Sequence, residues 1–123
     1  MNLVAIIETI EGHICTESTL PEIEVRGGCG ADLMSDVLTS IGPQAVLLTG
    51  LCNPQVIRTA LMADVSAIVF VRGKCPPLET IELANQENIP LISTPLGMFE
   101  ACGRLFRAGL PSLEIDPESR INA

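Results

Sequence analysis

Three Gly-x-Cys triplets, Gly27-Gly28-Cys29, Gly50-Leu51-Cys52 and Gly73-Lys74-Cys75, place their cysteines 23 residues apart. That interval has room for one strand, one tight loop and one helix. Each triplet stands after a run that reads as a strand and before one that reads as an amphipathic helix. Repeated βα units demand right-handed crossovers and a mainly parallel sheet. In such a sheet every strand-to-helix loop falls on the carboxyl edge, where open α/β folds bind ligands. Three cysteines are therefore expected along one rim.

The flanking residues fill in the units. Leu3, Ile6, Ile7 and Ile10 follow the helical i, i+3, i+4, i+7 spacing, with Asn2 as a cap and Gly12 as a stop, so a helix is expected over 2–11. An extended edge piece at 13–16 and a polar turn through Pro21 lead to a strand at Ile23-Glu24-Val25. Leu33, Met34, Val37, Leu38 and Ile41 mark a second helix, with Asp32 and Asp36 early in it and Gly42-Pro43 ending it. Residues 45–49 read as a buried strand. Asn53-Pro54, a capping residue followed by proline, is the clearest helix start in the chain. A strand over 66–71, a helix over 77–88 and a strand over 91–93 follow. Thr94-Pro95 repeats the cap-plus-proline signal for a last helix with Met98, Phe99, Cys102, Leu105 and Phe106 on its stripe, stopped by Gly109 and Pro111. Residues 112–123 read as a short edge segment and a polar tail. The expected fold is a single layered α/β domain over 1–123, with a mainly parallel sheet of repeated βα units plus an N-terminal helix and edge strand.

An apolar fraction of 47% suffices for one core in a chain of 123 residues. The net charge of −8, from 7 basic and 15 acidic side chains, would repel a phosphate backbone and argues against nucleic-acid binding. Phe70, Phe99 and Phe106 all lie in apolar segments and read as core, leaving no stacking surface for bases. The first twenty residues show neither a basic leader nor a long apolar run, so no membrane span is expected and the cytosol is the expected compartment. Five cysteines, an odd count, do not suggest a disulfide framework.

Two constellations share the rim. Cys29, Cys52 and Cys75 could ligate zinc or an iron–sulfur cluster, since thiolates are soft ligands and helix N-termini favour their ionised form. The competing readings are a small residue packed under each helix, or one redox-active thiol. No C-x-x-C spacing is present, and neighbouring strands stand ~4.8 Å apart, which spreads the row. His13 and Cys15 could complete a four-ligand set, although a lone histidine is more often a surface residue. Cys102, on the last apolar stripe, reads as core. Lys74, the only lysine, joins Arg26 and Arg72 to put three of the seven basic residues beside the glycine loops, a setting suited to phosphate or carboxylate. The candidate ligand-binding residues are Gly27, Gly28, Asp32, Asn53, Arg72, Gly73, Lys74 and Thr94. No P-loop pattern occurs, Gly27-Gly28-Cys29-Gly30 matches no dinucleotide fingerprint well, and one histidine far from the rim completes no nucleophile–base set. No enzyme activity is expected.

The order of segments resembles a stand-alone DRTGG-type domain, similar to the N-terminal domain of HPr kinase/phosphorylase and to regulatory modules of certain pyrophosphatases and phosphotransacetylases. The residues that carry the resemblance are the opening helix, Gly27-Gly28 with the run from Asp32 to Leu38, Asn53-Pro54, Gly73 to Pro76, Ile89 to Pro95, Phe99-Glu100 and Gly103-Arg104-Leu105. The resemblance implies a non-catalytic regulatory or ligand-binding module, in some contexts linked to adenine nucleotides, and often a homodimer. Small stand-alone members resemble companions of iron-only hydrogenase systems, which implies a possible hydrogenase-system partner. A literal Asp-Arg-Thr-Gly-Gly is absent, and cysteine stands at three loop positions where relatives would carry other polar residues. The expectation is a regulatory binding domain using residues 27–32, 50–54, 72–76 and 94–97. The alternative is an iron–sulfur or metal protein built on the three triplets.

Overall fold

A computed structural model describes residues 1–17 and 22–114. In chain order the elements are α1 (Leu3–Thr9), β1 (His13–Ile14), β2 (Gly27–Gly30), α2 (Met34–Ser40), β3 (Ala45–Thr49), α3 (Pro54–Met62), β4 (Ala67–Phe70), α4 (Leu78–Glu87), β5 (Leu91–Ser93) and α5 (Met98–Arg107). The strands form one sheet in the order β1-β5-β4-β3-β2. β2, β3, β4 and β5 run parallel, and β1 adds antiparallel to β5 through His13 opposite Ser93 and Ile14 opposite Ile92. The mainly parallel α/β fold read from the sequence is the one present.

The alternation of side chains along a strand divides the core in two. Leu47, Ile68, Phe70 and Leu91 point to one face, where Val37 of α2, Val56, Ile57 and Ala60 of α3 and Ala84 of α4 cover them. Val46, Leu48, Val69 and Ile92 point to the other face, under Leu3 and Ile6 of α1 and Ala101 and Leu105 of α5. All residues of β3, β4 and β5 are buried, as continuous apolar runs between two helical layers should be.

Local chemistry sets the helix starts. Asn2 caps α1 by accepting from the Ala5 amide at 2.9 Å, and Asn53 caps α3 by accepting from the Gln55 amide at 3.1 Å, with Pro54 in the first helical turn. Thr94-Pro95 does not start α5. Gly97 takes the N-cap position, and the Thr94 hydroxyl donates instead to the Ile10 carbonyl and accepts from the Leu96 amide, which fixes the loop to α1.

The first strand also differs from the sequence reading. Ile23-Glu24-Val25 forms no strand; Glu24 makes a single antiparallel bridge to Asn2. The strand is the glycine-rich run itself. The segment after α5 folds back along it, with the Gly28 amide donating to Pro111 O at 2.9 Å and the Leu113 amide to Gly28 O at 2.9 Å. Only a residue without Cβ permits this approach, since a methyl on Gly27 would run into the Leu113 side chain and the Pro111 carbonyl. The expected edge segment thus exists at 112–114, with Ser112 bridging Gly28 and Glu114 bridging Ile41. The turn through Pro21 and the tail beyond residue 114 lie outside the described residues.

A third correction concerns the aromatics. Phe70 is fully buried, whereas Phe99 and Phe106 are exposed on α5. The stripe that faces the sheet holds Ala101 and Leu105, about a third of a helical turn or more away.

Gly27→Ala should therefore lower the free energy of unfolding by ~1–3 kcal/mol, the usual cost of overpacking a well-filled site. Urea denaturation checks this, and an unchanged midpoint would mean that the 110–114 segment contributes nothing to the fold.

Candidate functional site

The carboxyl edge of the parallel strands brings three loops together around Asp32. Its Oδ1 accepts from the Gly50 amide at 2.7 Å and from the Thr49 hydroxyl at 3.2 Å, and its Oδ2 stands 3.9 Å from the Arg72 guanidinium. Gly50 leaves room for this placement, because a Cβ at that position would make the guanidinium shift. Arg72 has a φ of 61°, a conformation that costs a non-glycine residue on the order of 1 kcal/mol. Backbone hydrogen bonds hold it there, from the Arg72 amide to Leu96 O at 2.7 Å and from the Gly73 amide to Thr94 O at 2.8 Å. Gly73, at φ 68°, completes the turn. Lys74 is exposed, and its carbonyl accepts from the Ser93 hydroxyl at 2.9 Å. Asn53 opens α3 on the same edge.

Of the residues singled out in the sequence, Asp32, Asn53, Arg72, Gly73 and Lys74 lie on this rim. Three do not. Gly27 and Gly28 are inside β2, committed to pairing with β3 and the 110–114 segment, and Thr94 is fully buried with its hydroxyl used internally. Arg26 precedes β2, at the opposite end of the sheet, where its amide donates to Gln44 O. The basic cluster on the rim is therefore Arg72 and Lys74.

The cysteine row is broken for the same reason. Cys52 and Cys75 stand in true loops, each with its thiol turned back onto the glycine carbonyl two residues earlier, at 3.7 and 3.9 Å. Cys29 instead belongs to β2 and to the core under α2 and α3, only 4% exposed. Burial, followed by the nearby Glu114 carboxylate, pushes its pKa up to about 12, the reverse of what a thiolate ligand needs. Burial also raises Cys52, against the lowering influence of Lys74, and raises Cys15 and Cys102. Among the described residues no group of three or more His, Cys, Asp or Glu side chains is placed to hold a metal ion. The zinc or iron–sulfur reading of Cys29, Cys52 and Cys75 thus loses its geometric basis. His13 is exposed on β1 and joins no such group.

The sequence reading missed a groove of about 590 Å³ between α5 and β2, floored by Gly28 and Gly30 and walled by Met98, Cys102, Phe106 and Leu110. Its signal was the Gly28-x-Gly30 alternation, which strips side chains from one face of the strand. A shallower hollow of about 870 Å³ lies on the other flank of α5, beside Thr9, Arg104 and Arg107. Asp32, Arg72 and Lys74 line neither.

The sequence matches the DRTGG domain family over residues 5–108. The chain belongs to the DRTGG family. This DRTGG domain is also similar to a crystal structure of the CBS and DRTGG domains of the regulatory region of Clostridium perfringens pyrophosphatase, complexed with its activator diadenosine tetraphosphate. The TM-score is 0.69 at 22% identity, over 94% of this chain and 50% of that one. The DRTGG domain thus spans about half the length of that regulatory region. No curated protein matches the chain. Among the described residues no helix is long and apolar enough to cross a membrane.

The Cys29 environment predicts a pH dependence. Below the ordinary thiol value of 9.0 both folded and unfolded states keep the proton and Cys29 contributes no slope. Above it the unfolded chain ionises while the folded one holds its proton until about 12, so stability should fall as pH rises through that window. Denaturation at a series of alkaline pH values should show this fall, and Cys29→Ala should flatten it. An equal slope in both proteins would contradict the assigned environment.

Proposed function

We propose that this DRTGG domain is a non-enzymatic regulatory module that binds an adenine nucleotide or similar phosphate-bearing ligand on the rim formed by Asp32, Asn53, Arg72, Gly73 and Lys74. The observation that carries the reading is Arg72, a cation held at positive φ between Asp32 and the side-chain-free surface of Gly50, with Lys74 two residues on. The N-terminal amides of α3 on the same edge add the positive end of a helix dipole. Two cations and backbone donors provide charge-assisted hydrogen bonds to phosphate oxygens, while the same loops offer no nucleophile paired with a base. The pyrophosphatase regulatory region that shares this fold is complexed with a nucleotide activator, which supports the ligand class.

In this reading Asp32 positions the cation. It draws the guanidinium toward Gly50 through a long, partly exposed contact that a phosphate can outcompete. The comparisons lend no support to a metal cluster or to a hydrogenase-system partner, and the proposal includes neither.

Calorimetric titration with ATP, AMP and diadenosine tetraphosphate tests the proposal, alongside thermal shifts. A ligand at 100 times its Kd should stabilise the fold by about 2.7 kcal/mol. Arg72→Ala and Lys74→Ala should each weaken binding by about tenfold or more, with little change in the stability of the unliganded protein. No heat or shift with any nucleotide would overturn the ligand class. Binding that is indifferent to both variants would move the site off the rim.

A further inference from the structure

The groove between α5 and β2 takes no part in the rim, and it is built from unlike walls. Gly28 and Gly30 turn bare backbone toward α5 and the segment after it. A Cβ on Gly30 would meet Cys102 Sγ at 3.0 Å and Met98 Sδ at 3.1 Å, and one on Gly28 would meet Leu110 Cδ2 at 3.3 Å. Met98 and Cys102 thus wall the groove on the α5 side, and Leu110 and Pro111 on the other. Phe99 and Phe106 stand on its lip, 94% and 71% exposed. Aromatic surface of that extent, continuous with an apolar hollow, marks a binding surface rather than scattered exposed side chains.

Glu114 is the single charged side chain among the described residues that line this hollow. Its Oε1 accepts from the Gly30 amide at 3.2 Å, and its own amide donates to the Ser112 hydroxyl at 3.1 Å. Burial and the nearness of this carboxylate raise the pKa values of both Cys29 and Cys102, so the two thiols keep their protons at neutral pH. The groove therefore presents one negative charge in otherwise uncharged surroundings. A carboxylate offers about four acceptor positions, and the Gly30 amide and the Cys29 thiol leave part of that capacity open to an occupant.

We infer that this groove binds a small organic cation, a primary amine on an aromatic body, with the ammonium on Glu114 and the ring among Met98, Cys102, Phe99 and Phe106. Every other class of small occupant conflicts with one of these features. A neutral hydrocarbon would strip water from the carboxylate and return no hydrogen bond. A phosphate or carboxylate would be repelled by it, which makes this groove independent of the rim proposed for anions. A bare metal ion would gain one carboxylate and leave the apolar walls wet. An aryl amine meets both demands: its N–H groups donate charge-assisted hydrogen bonds to Glu114, while its ring contacts thioether and thiol sulfur and aromatic edges. The volume of about 590 Å³ lies within the usual range of small-molecule sites. The net charge of −8 favours the approach of a cation.

Methyl-detected NMR titration of the 123-residue chain tests this, with 2-phenylethylamine, 2-phenylethanol and 3-phenylpropanoate as probes. The amine should shift the methyl signals of Leu48, Met98 and Leu110 saturably, the alcohol should bind about tenfold or more weakly, and the acid should leave the signals in place. Glu114→Gln keeps an oxygen for the Gly30 amide, so the fold should persist while the amine loses its advantage over the alcohol. Phe106→Ala, at an exposed position, should weaken the amine without altering the circular dichroism. Arg72→Ala should change none of this. Equal binding of amine and alcohol to the wild type, or a preference for the amine that survives Glu114→Gln, would overturn the inference. So would methyl signals indifferent to the amine; if they follow protein concentration instead, the groove belongs to a second copy.

Discussion

The strands β3, β4 and β5 are buried on both faces, and that requirement organises everything else. A sheet of continuous apolar strands must be sealed by helices above and below. Three helices seal one side, whereas the other has only α1 and α5, and α5 lies so close to β2 that a Cβ on Gly30 would meet Met98 and Cys102. The chain meets this shortfall by giving β2 almost no side chains to cover. Glycine at 27, 28 and 30 thins the sheet at its edge, and the segment after α5 pairs along it in place of a sixth strand. The groove beside α5 is the space that this arrangement leaves open.

Most of the architecture was legible because the signals were local. Apolar runs of four or five residues bounded by turns marked β3, β4 and β5, and the Asn53-Pro54 pair marked the start of α3. Ile23-Glu24-Val25 failed because β-propensity describes a half-buried pleated surface, whereas β2 is chosen by how closely Pro111 and Leu113 approach its backbone. That constraint acts between residues more than eighty positions apart and leaves no periodic trace. Thr94-Pro95 failed for a similar reason, since the threonine hydroxyl serves the Ile10 carbonyl across the fold. The apolar letters of α5 gave Phe99 and Phe106 to the core, yet the helical angle turns them outward.

The three Gly-x-Cys triplets show the limit of reading a repeat as a site. The βα units do repeat, but the first triplet begins with its strand at Gly27, whereas the other two begin only after β3 and β4 have ended. It occupies the strand, while they occupy loops. The same three letters therefore produce one thiol sealed beneath helices, one half-buried and one exposed. Asp32, Arg72 and Lys74 shared no motif and meet only because the parallel topology brings their loops to one edge. Acidic and basic residues near loop glycines were the sequence trace of that meeting, and Arg26 carried the same trace at the wrong end of the sheet.

The left-handed conformation at Arg72 bears on the entropy of recognition. Surface arginines usually ride on loops whose backbone must be ordered when an anion arrives, at a cost of ~1–2 kcal/mol per residue fixed. Here the backbone on either side is already pinned to the 94–96 loop, so only the torsions of the side chain remain to be settled. In the proposed site a small anion would therefore meet less entropic opposition, because the backbone disorder that would oppose capture was removed when the sheet folded.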